Sequence, residues 1–340
     1  MADVVLVTGL SGFIARHVAL AFLAKGYSVR GTARSAAKAR KTVDSLVAKG
    51  ARRDRIAVVE ADLESDKGWT EAVAGVAGVL HLASPFPMEN PKDRDALTPA
   101  AKGGALRVID AALDAGVPRI ILTSSMVAVM YRPNRPPEMT FTEKDWTDLS
   151  WPLLSAYVVS KTEAERAAWA RVAERGAEAR FTAINPGFVL GPALDKDFGT
   201  SIELIRLLMN GAYPAVPPVV FPVVDVRDLA AMHVAAFERP ETGGRRLLAS
   251  AGPMSLKEVA RELRRTDHVA ARRVPTLELP RALVGLMARF DPRLAGALQD
   301  IGCRPLVDAA SVEALTGVKL RPPAEAVAAT LKSLVAVGAL

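Results

Sequence analysis

Between Val4 and Asn185 the chain alternates six short, apolar, β-branched runs with five helix-length patterns. The strand-like runs are Val4–Thr8, Ser28–Ala33, Ile56–Glu60, Val79–Leu82, Arg119–Thr123 and Phe181–Asn185. Helical patterns lie between them at Phe13–Lys25, Ala36–Lys49, a short stretch near Trp69–Ala74, Leu97–Ala115 and Ala156–Arg175. Strands joined through helices pair in parallel by right-handed crossovers, with helices covering both sheet faces. The rhythm predicts an α/β fold, a doubly wound parallel sheet of the Rossmann type, with its ligand site beyond the carboxyl ends of the strands.

After Asn185 the rhythm breaks. Prolines crowd 186–222, with the apolar loop Tyr213–Pro222 among them. A helical run at Val226–Glu238 and a strand at Arg246–Ala249 follow, then helical patterns at Ser255–Arg265, Pro280–Phe290, Asp308–Leu315 and Ala324–Val337. At about 150 residues per domain, the 340 residues make roughly two units. We expect residues 1–185 to form the doubly wound unit, with 223–250 returning to it. Residues 186–222 and 251–340 then form a smaller, mostly helical lobe over the strand ends. No internal repeat or low-complexity segment interrupts the chain.

Val4–Thr8 runs straight into Gly9-Leu-Ser-Gly12-Phe-Ile-Ala15 and then a helix. Gly9 permits a tight turn, Gly12 lets backbone approach a pyrophosphate, and the small Ala15 allows close packing of helix on strand. The first N–H groups of that helix and its dipole favour phosphate charge. In this context the glycine spacing predicts dinucleotide binding, with Ser11, Phe13 and Ile14 in the phosphate turn. At the end of the second strand, where an NAD site wants a carboxylate for the ribose 2′-hydroxyl, the chain has Gly31-Thr-Ala-Arg34 and no acid between Asp3 and Asp44. Arg34 suits a 2′-phosphate, with Lys38 and Lys41 adding positive charge, so the expected cofactor is NADP(H). Asp62 and Leu63 follow the third strand, placed to contact adenine, although a capping role suits Asp62 equally. Leu82, Ala83 and Ser84 end the fourth strand beside the crevice. His81, in an apolar run, is expected to pack.

Composition limits the alternatives. The net charge of +7 could draw nucleic acid, a membrane surface or an anionic small molecule. The cations, however, are mixed with acids along the chain, and only 5% of residues are aromatic, too few for base-stacking platforms. Arg52–Arg55 and Arg261–Arg265 read as solvated faces. The single Cys303 excludes an internal disulfide or a cysteine-built zinc site, and we expect no metal. No secretory signal or uncharged apolar window of ~18 residues is visible, Lys332 interrupting the last helical pattern. The expectation is a soluble, cytoplasmic protein with neither membrane nor nucleic-acid partner.

Tyr157-Val-Val-Ser-Lys161 begins the fifth helical pattern. Residues i and i+4 share a helix face, so a phenol and an ammonium can point into one crevice. A free tyrosine, with a pKa of about 10, is a poor acid–base catalyst at neutral pH. A neighbouring ammonium and an oxidised nicotinamide should lower that value. At the carboxyl end of the fifth strand, Thr123-Ser124-Ser125 offers a hydroxyl for a substrate carbonyl oxygen. The pattern alone does not separate Ser124 from Ser125.

Taken in order, VTGLSGFIA, GTAR, HLASP, TSS, DWTDL, YVVSK, NPGFVLGP and VVDVRDLA resemble the extended short-chain dehydrogenase/reductases of the NAD-dependent epimerase/dehydratase superfamily. The resemblance covers nearly the whole chain and is to the branch of dihydroflavonol 4-reductases, cinnamoyl-CoA reductases and methylglyoxal or ketone reductases. It implies Ser125 as the catalytic serine, Tyr157 as the general acid, and Lys161 as the group that holds the nicotinamide ribose and tunes Tyr157. It also places Thr123, Pro186, Gly187 and Val189 along the cofactor. Two departures limit the substrate. The position five residues after Ser125, Asn or Asp in dihydroflavonol reductases, is Met130, and the NWYCYGK signature of cinnamoyl-CoA reductases is replaced by Leu154-Ser-Ala-Tyr157-Val-Val-Ser-Lys161.

The resulting expectation is an NADPH-dependent reductase of hydrophobic ketones or aldehydes. Its pocket would draw on Ser84, Phe86, Met126, Val127, Met130, Phe188, Tyr213 and Phe221. Rival readings are a nucleotide-sugar epimerase or dehydratase, a 3β-hydroxysteroid dehydrogenase-like oxidation, and a non-catalytic NADP-sensing protein. Arg34 and the apolar proline loop disfavour the first, and the complete Ser/Tyr/Lys set disfavours the last. Monomer and homodimer are both open.

Overall fold

The computed structural model describes residues 3–84, 91, 93–290 and 297–340. Seven parallel strands form the central sheet. They are β1 (Val4–Val7), β2 (Ser28–Ala33), β3 (Ile56–Glu60), β4 (Gly78–His81), β5 (Ile120–Thr123), β7 (Phe181–Pro186) and β10 (Arg245–Ala249), in the order β10-β7-β5-β4-β1-β2-β3. Their connections run through α1 (Phe13–Ala24), α2 (Ala36–Ala48), α3 (Trp69–Val73), α4 (Thr98–Asp114) and α5 (Ala156–Glu174). β4 and β5 are buried along their whole length, as strands covered on both faces must be. The order reverses between β1 and β4, which opens a crevice beyond their carboxyl ends. The doubly wound expectation holds, with boundaries within one or two residues.

Beyond β7 the chain builds more sheet than its prolines suggest. β8 (Phe188–Leu190), β9 (Val220–Asp225) and β11 (Gly252–Ser255) form a three-stranded sheet with β9 in the middle. Pro222 and Pro253 sit opposite each other in the β9–β11 register, so both missing N–H groups fall on one rung. A two-stranded sheet pairs β6 (Glu138–Phe141) with β12 (Arg304–Val307) across more than 160 residues of chain. The stretch 186–222 also holds α6 (Thr200–Met209), whose Ile202, Ile205, Leu208 and Met209 are fully buried on one face. The remaining α-helices among the described residues are α7 (Val226–Glu238), α8 (Leu256–Arg264), α9 (Arg281–Met287), α10 (Ala309–Thr316) and α11 (Pro323–Ala336). One apolar cluster runs from Val5 and Val7 of β1, through Ile202 and Leu208, to Leu263 and Leu334.

Burial explains the singular residues. Cys303 is a free, buried thiol, raised in pKa by desolvation. His81 is buried, with Nδ1 on Thr8 Oγ1 at 2.9 Å. Arg52, Arg53 and Arg265 form exposed pairs with Asp54, Asp44 and Glu262, and Arg55 donates to the Gly26 carbonyl. No helix among the described residues is long and apolar enough to cross a membrane, and these residues hold no cluster suited to a metal ion.

Candidate active site

The crevice between β1 and β4 has a volume of about 350 Å³ and collects residues from four separate turns. Gly9, Ser11 and Gly12 come from the turn after β1, Arg34 from the end of β2 and Lys38 from the first turn of α2, Asp62 and Leu63 from after β3, and Leu82, Ala83 and Ser84 from after β4. Gly9 has φ +63°, and a Cβ there would stand 3.0 Å from Ala83 Cα and Cβ, so only glycine lets the two turns close together. α1 begins at Gly12 with no capping side chain and no acid in its first turn, leaving its N-terminal dipole for an anion. Arg34 and Lys38 are both exposed on the crevice rim, and neither has an acidic partner among the described residues. This donor set fits a dinucleotide phosphate with a further 2′-phosphate at the rim. Asp62 lines the crevice while its carboxylate accepts from Glu64 N at 3.0 Å within a turn, and it caps no helix, since α3 starts after Gly68. Phe13 and Ile14 do not line the crevice: the Phe13 side chain is in the core and that of Ile14 packs against it.

A second cavity, of about 230 Å³, lies where β5, α5 and the β7–β8 turn converge. Ser125 and Tyr157 line it, together with Pro186 and Gly187, and the Ser125 side chain hydrogen-bonds the Tyr157 phenol. α5 starts at Ser155, whose hydroxyl accepts from Val158 N, so Tyr157 sits in the first turn with Lys161 one turn further on. Lys161, half-buried, lines a recess of about 20 Å³ that shares Ala83 and Ser84 with the dinucleotide crevice. The two serines have different partners. Ser124 Oγ donates to Glu165 Oε2 at 2.5 Å, whereas Ser125 faces Tyr157.

The electrostatics differ from the expectation for the phenol. Burial raises Tyr157 above its ordinary value, with the Ser125 hydrogen bond opposing, and Lys161 does not bring it down in the protein alone. Burial also lowers Lys161, to about 8, against the opposing charge of Glu165. His81 is held at about 3 by burial, and by the charge of Lys161. It is a neutral packing residue.

Other expected residues divide. Met126, Val127, Met130, Phe188 and Phe221 line the 230 Å³ cavity, with Phe188 and Phe221 stacked at 4.8 Å. Tyr213 is not brought there, because it packs against the main core. Val189 is a buried core residue paired with Val224 across β8–β9. Thr123 lines the small recess, but its hydroxyl bonds His233 Nε2 at 2.7 Å. Gly187 answers to packing, since a Cβ there would lie 2.0 Å from the Pro222 carbonyl oxygen. Phe86 lies outside the described residues.

Sequence reasoning missed the polar layer beneath the cavity. Glu165 is fully buried and accepts from Arg246 Nε at 2.7 Å, Asn185 Nδ2 at 2.7 Å and Ser124. Asn185 also donates to the Ser125 carbonyl at 3.1 Å, fixing the backbone that carries the hydroxyl. The Arg246 guanidinium lies 3.8 Å over the Trp146 ring. The available signal was spacing, because Tyr157, Lys161 and Glu165 form an i, i+4, i+8 stripe. Tyr131, Thr200, Ser201, Gln299 and Asp300 also line the cavity, and no sequence motif announced Gln299 or Asp300.

Residues 5–248 match the model of the NAD dependent epimerase/dehydratase family. Cinnamoyl-CoA reductase 1 of Arabidopsis thaliana is 34% identical over 278 residues, covering 81% of this chain and 76% of that protein. The NADPH-dependent methylglyoxal reductase Gre2 of Saccharomyces cerevisiae is 34% identical over 274 residues, 75% of this chain and 80% of that one. The crystal structure of yeast methylglyoxal/isovaleraldehyde reductase Gre2 complexed with NADPH superposes with a TM-score of 0.81 at 28% identity, covering 99% of this chain and 100% of that chain.

Proposed function

The chain belongs to the NAD dependent epimerase/dehydratase family, and from that premise we propose that it is an NADPH-dependent reductase of hydrophobic ketones or aldehydes. It is an oxidoreductase acting on carbonyl or alcohol groups, and its coenzyme is NADP(H). The observation that carries the finer reading is the hydrogen-bonded Ser125–Tyr157 pair in a largely apolar cavity, one helical turn from Lys161, whose recess shares Ala83 and Ser84 with the dinucleotide crevice. We assign residues 1–185 and 223–250 to the coenzyme side, and 186–222 and 251–340 to the substrate side.

When bound, the reduced coenzyme supplies the hydride that adds to the carbonyl carbon. Gly9, Ser11 and Gly12 hold its pyrophosphate, and Arg34 with Lys38 its 2′-phosphate. Ser125 donates a hydrogen bond to the substrate carbonyl oxygen, stabilising charge as it develops there. Tyr157 gives that oxygen a proton. Its raised pKa keeps the proton in place at neutral pH until the oxygen becomes basic. Lys161, with a pKa of about 8, is mostly an ammonium at pH 7, where it bonds the ribose and stabilises the phenolate left behind.

The test is NADPH consumption by the purified protein against aldehydes, α-keto esters, aryl ketones and steroid ketones. Tyr157→Phe should lower kcat at least a hundredfold while NADPH binding stays within about twofold, since a general acid typically contributes 10²–10⁴. Wild-type protein that binds NADPH but reduces no member of the panel overturns the reading.

A further inference from the structure

Among the described residues, the substrate cavity has one carboxylate in its wall. Ser125 and Tyr157 stand in it with apolar neighbours that include Met130, Phe188 and Phe221, and Gln299 and Asp300 approach from a distant part of the chain. Gln299 is structural. Its side chain accepts from Ser155 N at 3.0 Å and donates to Ser155 Oγ at 3.3 Å, which ties the segment to the start of the helix that carries Tyr157. Asp300 is only partly satisfied. Oδ1 accepts the Tyr131 hydroxyl, and no second donor among the described residues bonds the carboxylate.

The nearby cation does not complete it. Arg135 donates to the carbonyls of Met130 and Gln299, and its guanidinium stacks over Tyr131 at 5.2 Å and Trp151 at 5.3 Å. A carboxylate offers about four acceptor positions, and closing an apolar ligand over those left open removes their water without replacement. A ligand hydroxyl would replace it. Burial raises Asp300 to about 6, as expected of an under-solvated carboxylate.

Resting on the reductase reading, we propose that Asp300 is a specificity-determining residue that selects carbonyl compounds bearing a hydrogen-bond-donating hydroxyl remote from the carbonyl, and disfavours those bearing a carboxylate. The hydroxyl donates to the open side of Asp300 while the carbonyl oxygen meets Ser125 and Tyr157. A charge-assisted hydrogen bond of this kind corresponds to a preference on the order of tenfold or more, expressed in KM.

The experiment measures kcat and KM, with saturating NADPH, for a hydroxyphenyl-alkyl ketone and its deoxy analogue in wild type, Asp300→Leu and Asp300→Asn. Wild type should prefer the hydroxylated ketone about tenfold. Asp300→Leu should reverse the order, losing on the hydroxylated ketone and gaining on the deoxy one, whose desolvation cost is relieved. Asp300→Asn keeps an acceptor for Tyr131 and should show an intermediate ratio, so the inference stays testable if the leucine variant does not fold. Equal losses on both ketones, or a wild type indifferent to the hydroxyl, overturn the assignment while leaving the reductase reading intact. If wild type reduces neither ketone nor any carbonyl of the broader panel, the reductase reading falls, and the assignment with it.

Discussion

Glu165→Gln removes one charge from the buried layer and should be felt twice, in stability and in the pH profile. The side chain is fully buried and pairs with Arg246 Nε at 2.7 Å, while the Arg246 side chain is only 6% exposed. Arg246 also donates through Nη1 to the carbonyls of Glu143 and Asp145, but its Nη2 has no partner among the described residues. Without the carboxylate the guanidinium keeps its charge with little to balance it. Breaking a buried pair from one side costs about 3–5 kcal/mol. At about 2.1 cal/mol/K of unfolding entropy per residue, that lowers Tm by roughly 4–7 °C in a chain of 340 residues. The second effect passes through Lys161, one helical turn away. Burial lowers that ammonium to about 8 and the Glu165 charge opposes the lowering, so its loss moves the pKa further down. The proposed role needs the ammonium, hence kcat/KM falls as pH rises through this pKa, and the alkaline limb should shift to lower pH in the variant. Calorimetry and a kcat/KM profile across neutral and alkaline pH read both effects. An unchanged Tm with an unmoved alkaline limb refutes the reasoning.

Two further outcomes follow from the same geometry. Arg34→Ala should raise KM for NADPH on the order of tenfold to a hundredfold and leave KM for NADH nearly unchanged, because only NADPH carries the 2′-phosphate that we propose Arg34 to hold; equal changes for both coenzymes count against the 2′-phosphate assignment. Acidification should destabilise the fold between pH 6.5 and about 4. His17 and His233 are held near 4 and His81 near 3, each chiefly by burial, so the unfolded chain binds more protons in that window and stability falls as pH falls. Each imidazole contributes on the order of 3 kcal/mol by pH 4, and Asp300, raised to about 6, offsets one of the three. A Tm that stays flat from pH 6.5 to 4.5 contradicts the neutral assignment.

What could be read from the chain depended on how local its cause was. β1, the Gly9 turn and α1 are specified within about twenty consecutive residues, and periodicity carries that information directly. The Arg34 inference was equally local, since it needed only the strand end and the missing acid. α6 went unread, although Ile202, Ile205 and Leu208 keep helical spacing, because prolines crowd the stretch around it. β9 and β11 were hidden for a different reason. Pro222 and Pro253 each argue against a strand alone, and only their shared rung removes the objection.

The polar groups that finish the site were the least visible, because their meaning arises from distant partners. Glu165 takes a charge partner from β10 and hydrogen bonds from the ends of β5 and β7, so its sequence neighbours say little about its burial. His233 and Thr123 meet across 110 residues in a bond that fixes a tautomer: Nδ1 donates to the Leu229 carbonyl, which leaves Nε2 to accept the threonine hydroxyl. Asp300 reaches Tyr131 from 169 residues away. A sequence motif marks positions where backbone geometry or reaction chemistry admits few residue types, as at Gly9 or Tyr157–Lys161. A wall residue such as Asp300 is constrained instead by what fills the cavity, so variation in substrate should be written in positions of that kind, with Ser125, Tyr157 and Lys161 unchanged.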